Sequence, residues 1–342
     1  VEKEGSEKEL FNKLNSIGNN EEILFTQAVD EMMGHQYANI QSRIKTTGAA
    51  VTREVNDLIK DETEQSDRIK VFGSKDEYKT DTAGITDYKN NTYGIAYVHK
   101  NDFASDDTRG WYAGIVNNNF QFKDIGKSRE NQTMFKGGVF KTTTFGKDKN
   151  LKWTVSGEGF FGINSMNRRF LVVDNVFNAK SNYYSYGLGM RNEIGKEVKL
   201  NDKMSIRPYG ALNMEYGRFS RIKEKNGDMR LKVKGNDYFS AKPEIGTEFK
   251  YIQPLTASTT LVLGTGIAYE TELGSMGANR AKVAHTDADW YNLRSEKESK
   301  KGNVKLDLNF GIQNQGLGVT ANLGYDTKGD NVRGGLGIKA SF

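Results

Sequence analysis

Twelve stretches of alternating residues, a helical leader too polar for lipid, and connections that alternate in length predict an all-β membrane barrel. The fold expected is a 12-stranded antiparallel outer-membrane β-barrel with an N-terminal α-helix inside the lumen. The alternation is clearest at the C-terminus. Val304, Leu306, Leu308, Phe310 and Ile312 fall on one face, and Asn303, Lys305, Asp307, Asn309 and Gln313 on the other. The pattern resumes with Leu317, Val319, Ala321, Leu323 and Tyr325. It ends with Val332, Leu336, Ile338, Ala340 and Phe342 opposite Arg333, Lys339 and Ser341. Successive strand side chains point to opposite faces, so such runs make a sheet with one apolar and one polar face. A barrel of that kind sets the apolar face against lipid and the polar face around a wet lumen.

The first 66 residues carry no strand pattern. Residues 21–45 favour a helix, being rich in Glu, Gln, Met and Ala and free of Pro, with Asn19 or Asn20 placed to cap it. A weaker helical stretch covers about 49–64. Twenty helical residues cross a layer of about 30 Å. Glu31, His35, Gln36, Gln41, Arg43 and Lys45 keep this helix out of lipid, so it crosses only inside a polar lumen.

Strand candidates then follow at 68–75, 89–100, 108–122, 132–145, 151–165, 182–196, 203–220, 237–251, 256–273, 302–313, 316–327 and 331–342. Connections at about 146–150, 252–255 and 314–315 are short. Those at about 76–88, 166–181, 221–236 and 274–301 are long and charged. Short periplasmic turns and long outer loops are the outer-membrane arrangement. There is no fixed-period repeat, which argues against a propeller or solenoid.

Composition agrees. Mean hydropathy is −0.69, and no run approaches the roughly 18 apolar residues of a membrane helix. A barrel escapes that test because alternate residues face water. The 16 Tyr and 18 Phe fit aromatic girdles. With no cysteine there is no disulfide scaffold or thiolate metal site, which suits passage through an oxidising periplasm. The chain starts at Val1 without a signal segment, so a mature or excised fragment is expected, with its upstream part missing.

Residues 1–66 hold 7 basic and 13 acidic residues, and the rest of the chain 42 and 31. The expectation is an acidic plug in a basic barrel. Arg207, Lys242, Lys305 and Lys339, with the wall carboxylates Glu244 and Glu248, are the candidate lumen charges that face the helix. On the helix the candidates are Glu31, His35, Arg43 and Lys45.

A polar helix, twelve amphipathic strands and a last strand ending RGGLGIKASF resemble the translocator domain of type Va autotransporters. The segment EILFTQAVDEMMGHQYANIQSRI carries the resemblance as linker helix, and the run from Phe239 to Phe342 carries it as barrel. The composition, rich in Asn, Lys and Gly, is similar to that of large adhesin-type members. The resemblance implies a linker and plug region at 1–66 and a translocator barrel at 67–342. It implies a monomer in the outer-membrane lipid bilayer. It also implies a passenger upstream of Val1, carried to the cell surface. The barrel-assembly machinery would read the last strand through Leu336, Ile338 and Phe342; Ala340 stands where the family favours tyrosine.

Some members cut their own linker between two asparagines, and Asn19–Asn20 matches those residue types. Its place at a helix start favours the plainer role of a cap. His35, His99 and His285 have no ligand spacing, GSMGAN lacks a phosphate-loop ending, and His285, Asp287 and Asp289 share only a loop. No catalytic group, metal or cofactor is expected. Bases spread over alternate strand positions do not form a nucleic-acid surface. A stand-alone porin-like channel is the alternative function, and a soluble β-rich binding module a third.

Overall fold

A computed structural model describes residues 8–341 except 62, 64, 81, 83, 105, 285, 286 and 295–300. Helices α1 (Lys8–Asn15) and α2 (Glu22–Met32) lead to a short 3-10 turn, His35–Tyr37, and then to α3 (Ile40–Lys60). The barrel strands are β1 (Asp67–Tyr78), β2 (Tyr88–Ala104), β3 (Asp107–Phe122), β4 (Arg129–Phe145), β5 (Leu151–Val172) and β6 (Asn175–Lys196). They continue as β7 (Met204–Phe219), β8 (Asn236–Pro254), β9 (Thr259–Thr271), β10 (Gly302–Asn314), β11 (Leu317–Asp326) and β12 (Asn331–Ala340).

Each strand pairs antiparallel with the next. The sheet closes where β1 meets β12, from Asp67 opposite Ala340 to Lys75 opposite Val332. Closure satisfies every strand edge, as a hydrocarbon environment demands. The outer face is apolar: Trp111, Ile115, Phe135, Val139, Leu188, Leu308, Leu323, Leu336 and Ile338 are all exposed there. A soluble module would need these rows inside a core, and the closed barrel puts them outside. No described helix is long and apolar enough to cross a membrane.

Both barrel termini lie at the end with short turns. Helix α3 finishes beside β1, so its N-terminus lies at the long-loop end. Its 21 residues span about 31 Å.

Three expectations change. The helix expected over 21–45 is broken at Gly34, which has φ +80° and lies where a Cβ would meet Leu231 Cδ1 at 2.6 Å. Only glycine takes that backbone freely. The weak stretch at 49–64 is therefore the body of the lumen helix, and Glu31 and His35 lie before it. The cap of α2 is Glu21, not Asn19 or Asn20, and makes no side-chain cap bond. Finally, the loop expected at 166–181 is strand. Met166, Arg168, Phe170 and Val172 are buried, as are Phe177, Ala179 and Ser181, so the alternation runs on to a two-residue turn at Val173–Asp174. Charged and Asn residues in this stretch hid its period.

Beyond the long-loop end, four short strands make a second sheet in the order Tyr291–Asn292, Arg280–Val283, Leu231–Val233, Ile222–Lys223. Helices α1 and α2 pack on the raised β5–β6 hairpin through Leu10, Ala28, Met32, Phe170, Val172 and Phe177.

Candidate functional site

The candidate site is the lumen occupied by α3. Ile40, Ile44, Val51, Val55 and Leu58 recur at helical spacing and are buried. They meet a wall that is apolar too: Val98, Tyr112, Val116, Phe120, Met134 and Phe160 belong to the same core. Gly114 allows this approach, since a Cβ there would lie 2.5 Å from Val51 Cγ1. The helix thus leans on β1–β4. On its other side a cavity of about 1340 Å³ remains, lined by Thr260, Gly264, Asn309, Gly311, Gln313 and Asn322. A polar lumen was expected, and the part of the wall against which α3 leans is an apolar seat.

Polar contacts fix the helix along its length. Near the long-loop end, Arg43 Nε and Nη2 donate to Glu130 at 2.9 and 3.3 Å, and Tyr183 Oη donates to the same carboxylate at 2.7 Å. Both members of the Arg43–Glu130 pair are 0% exposed. The guanidinium also lies 4.9 Å from the Phe122 ring centroid. Lys45 faces Glu272 at 3.6 Å, and Arg53 meets Asp326 at 3.0 Å. Thr52 donates to Glu158 at 3.1 Å, while Glu54 pairs with Lys70. At the short-turn end Lys60 bridges Glu248 at 2.9 Å and Glu193 at 3.2 Å, and Asp61 pairs with Lys339. Arg68 donates to the carbonyls of Leu58 and Thr63, which closes the helix C-terminus with a cation.

The charge arrangement reverses the expected one. Helix α3 carries four bases, Arg43, Lys45, Arg53 and Lys60, and two acids, Glu54 and Asp57. Its cations meet wall carboxylates. The acidic surplus of the leader resides before α3 and in Asp61, Glu62 and Glu64 after it; counting 1–66 as one unit merged them with the helix.

The other predicted residues are distributed along the wall. Arg207 joins Glu193 and Glu248 at 2.8 and 3.2 Å and so reaches the helix through Lys60. Glu244 receives Lys305, Tyr209 at 2.7 Å and Arg191 at 3.4 Å, all from the wall. Lys305 also faces Glu270 at 3.4 Å. Lys242 lines the open cavity. Leu336 and Ile338 face outward, and Phe342 lies outside the described residues, as does His285. Asn19 and Asn20 are exposed between α1 and α2. Glu158, expected as a lumen acid, accepts from Thr52 and Lys136; Glu130 and Lys136 were missed, although Glu130, Gln132, Met134 and Lys136 share the inward parity of β4 and could have been found by it.

The mouth carries its own buried cluster. Arg168 Nε and Nη2 donate to Glu224 at 3.0 and 2.9 Å, Tyr37 Oη donates to Glu224 at 2.8 Å, and the Leu231 amide donates at 2.7 Å. Asn279, from the loop after β9, donates to the Tyr37 carbonyl at 2.8 Å and accepts from Gln41 at 2.8 Å. These bonds tie two long loops to the start of α3.

Beside them, Glu31 is raised to about 6 by burial and by the neighbouring Asp124 and Asp30. One of its oxygens is buried without a hydrogen-bond partner. A carboxyl raised on folding favours the protonated folded state, so its contribution is present below the ordinary value of 4.5 and lost as pH rises through about 6. His35, 3.2 Å from Asp30, is lowered by burial, so its contribution has the opposite sign and is lost on acidification below its ordinary 6.5. The expected result is that Glu31→Gln removes the loosening of α2 between pH 4.5 and 7, read by amide hydrogen exchange over 22–37. An exchange profile with the same pH dependence in both proteins would refute it.

Comparison with known proteins agrees with this geometry. A family model described as "Autotransporter beta-domain" matches residues 69–340. The fold is similar to the translocator domain of autotransporter NalP from Neisseria meningitidis, with TM-score 0.65, 12% identity, and 90% of this chain and 99% of that one covered. It is also similar to the β domain of the Bordetella autotransporter BrkA, at TM-score 0.56, 12% identity and coverage of 82% and 100%. The transport unit of AIDA-I from Escherichia coli aligns at TM-score 0.50, 13% identity and coverage of 86% and 98%. A comparison with curated protein sequences finds no match. At these identities the structures speak for the fold alone, and it is the sequence match over most of the barrel that assigns the chain to the autotransporter β-domain family, whose barrels are outer-membrane translocator units.

Proposed function

We propose that this chain anchors an upstream passenger in the outer membrane and exports it to the cell surface. The observation that supports it is the direction of α3: it runs through the barrel from the long-loop end to the short-turn end, so chain upstream of it emerges with the long loops. In this reading residues 1–66 are linker and plug, and 67–342 the translocator. An adhesin is the passenger class that the composition favours. The barrel acts as a monomer. Outward-facing Leu336 and Ile338, with Phe342, form the signal read by the barrel-assembly machinery. The helix charges Arg43 and Lys45 hold the plug, with Arg207 and Glu248 acting through Lys60.

The test places an epitope tag before Lys8 and treats intact cells with protease. The tag is expected to be removed while the boiled and unboiled barrel still differ in gel mobility. A tag that survives on intact cells and is lost only after the outer membrane is opened would overturn the reading.

A further inference from the structure

The loop between β7 and β8 continues the alternation of the wall. Ile222 and Glu224 turn inward and are buried, whereas Arg221, Lys223 and Lys225 point out and are exposed. Their strand neighbours are cations as well. Lys232 pairs across the small sheet with Lys223 on one side and Lys282 on the other. Lys225 lies opposite Lys180 of β6. Like charges facing one another across strands are destabilising. Of the two carboxylates in this loop, Glu224 is inward and bound to Arg168, and Asp228 is half-buried and makes no ion pair among the described residues. Among the described residues, none of these six cations has an ion pair.

The plate joins the lipid-facing surface. Lys180 is on the outward row of β6 that contains Tyr184, Tyr186, Leu188 and Met190, all exposed. Tyr184 stacks on Phe161 with ring centroids 5.6 Å apart, and Arg218 lies opposite Tyr186. Exposed aromatic rings at this level mark a membrane interface. Four residues above Tyr184, at about 3.3 Å per residue and a tilt near 40°, Lys180 stands roughly 10 Å further out. That is headgroup height, above the apolar band.

We propose that Lys180, Arg221, Lys223, Lys225, Lys232 and Lys282 form a binding surface for the phosphate groups of a phosphorylated glycolipid in the outer leaflet. Phosphate oxygens accept charge-assisted hydrogen bonds from several ammonium groups at once, which removes the repulsion among them. The lipid source follows from the position of Lys180 on the row that meets lipid. The inference rests on the outer-membrane barrel and not on passenger export.

The experiment uses the full chain refolded in detergent, mixed with bis-phosphorylated lipid A and analysed by native mass spectrometry. Wild type is expected to retain the lipid. The triple variant Lys180→Gln/Lys223→Gln/Lys225→Gln is expected to retain it at least about tenfold less, the equivalent of one charge-assisted contact. Lipid A stripped of its phosphates should be retained by neither. Heat-dependent gel mobility checks that the variant folds; if it does not, Arg221→Gln/Lys232→Gln serves in its place. Equal retention by wild type and a folded variant overturns the proposal, as does equal retention of the dephosphorylated lipid. Heparin binding wild type as tightly as the lipid, with the same loss in the variant, would assign the plate to a soluble polyanion and overturn the lipid assignment.

Discussion

Deleting Ile40–Lys60 is expected to raise single-channel conductance in planar bilayers several-fold and to make the pore cation-selective. The helix with its side chains is a cylinder about 10–12 Å across, and it occupies the part of the lumen against β1–β4. Only the cavity of about 1340 Å³ beside it remains open. Removal joins that space to the vacated seat. It also removes Arg43 from Glu130 and Lys45 from Glu272, and takes one cation each from Glu193, Glu248 and Asp326, where Arg191, Arg207 and Arg333 remain. A ring of carboxylates facing water favours cation passage. Conductance unchanged by the deletion would mean that the long loops, and not α3, close the pore. Anion selectivity in an enlarged pore would show that wall lysines such as Lys242 dominate the field.

Arg43→Ala is expected to destabilise the folded barrel by about 3–5 kcal/mol, because it leaves Glu130 buried without its cation. Both side chains are fully buried, so water cannot replace the lost partner. The Tyr183 hydroxyl still donates to Glu130 but carries no charge. Glu130→Gln in the Arg43→Ala background should recover much of the loss, since no ionised group then remains in the apolar seat. The measurement is the temperature at which the unheated gel band converts to the boiled one. If Arg43→Ala and the double variant convert at the same temperature as wild type, the pair contributes nothing to retention of the helix.

The strands were legible where their two faces differ in chemistry. In β10–β12 one face is apolar and the other polar or Gly, so periodicity alone locates them. Around Trp111 and Phe135 it does not. There Trp111 and Ile115 face out while Tyr112, Val116 and Phe120 face the helix, and with apolar residues on both sides the alternation loses amplitude. The same residues make the apolar seat, so the feature that blurred the strands is the one that holds α3. The break at Gly34 was legible only in part: the glycine stands in the sequence, but a glycine alone does not end a helix, and its left-handed backbone shows only in the fold. Buried pairs such as Arg168–Glu224 join distant segments, and no local spacing announces them. Charge was misread for a different reason: a sum over 1–66 cannot tell a lumen helix from the segment outside it.

The wall is uneven in height. Strands β5 and β6 have 22 residues each, and β11 and β12 have 10. Roughly 9–11 residues suffice to cross a bilayer. The low flank is therefore spent within the hydrocarbon layer, while about half of the β5–β6 hairpin rises above that layer as a mast. Helices α1 and α2 are lashed to that mast, and Lys13 meets Asp174 at its tip at 2.6 Å. The described chain thus begins off-axis, beside that tip, where Asn175 donates to Glu9 at 2.6 Å. If a passenger is attached there as proposed, two such molecules side by side would hold their passengers apart or together according to which flanks they turn to each other.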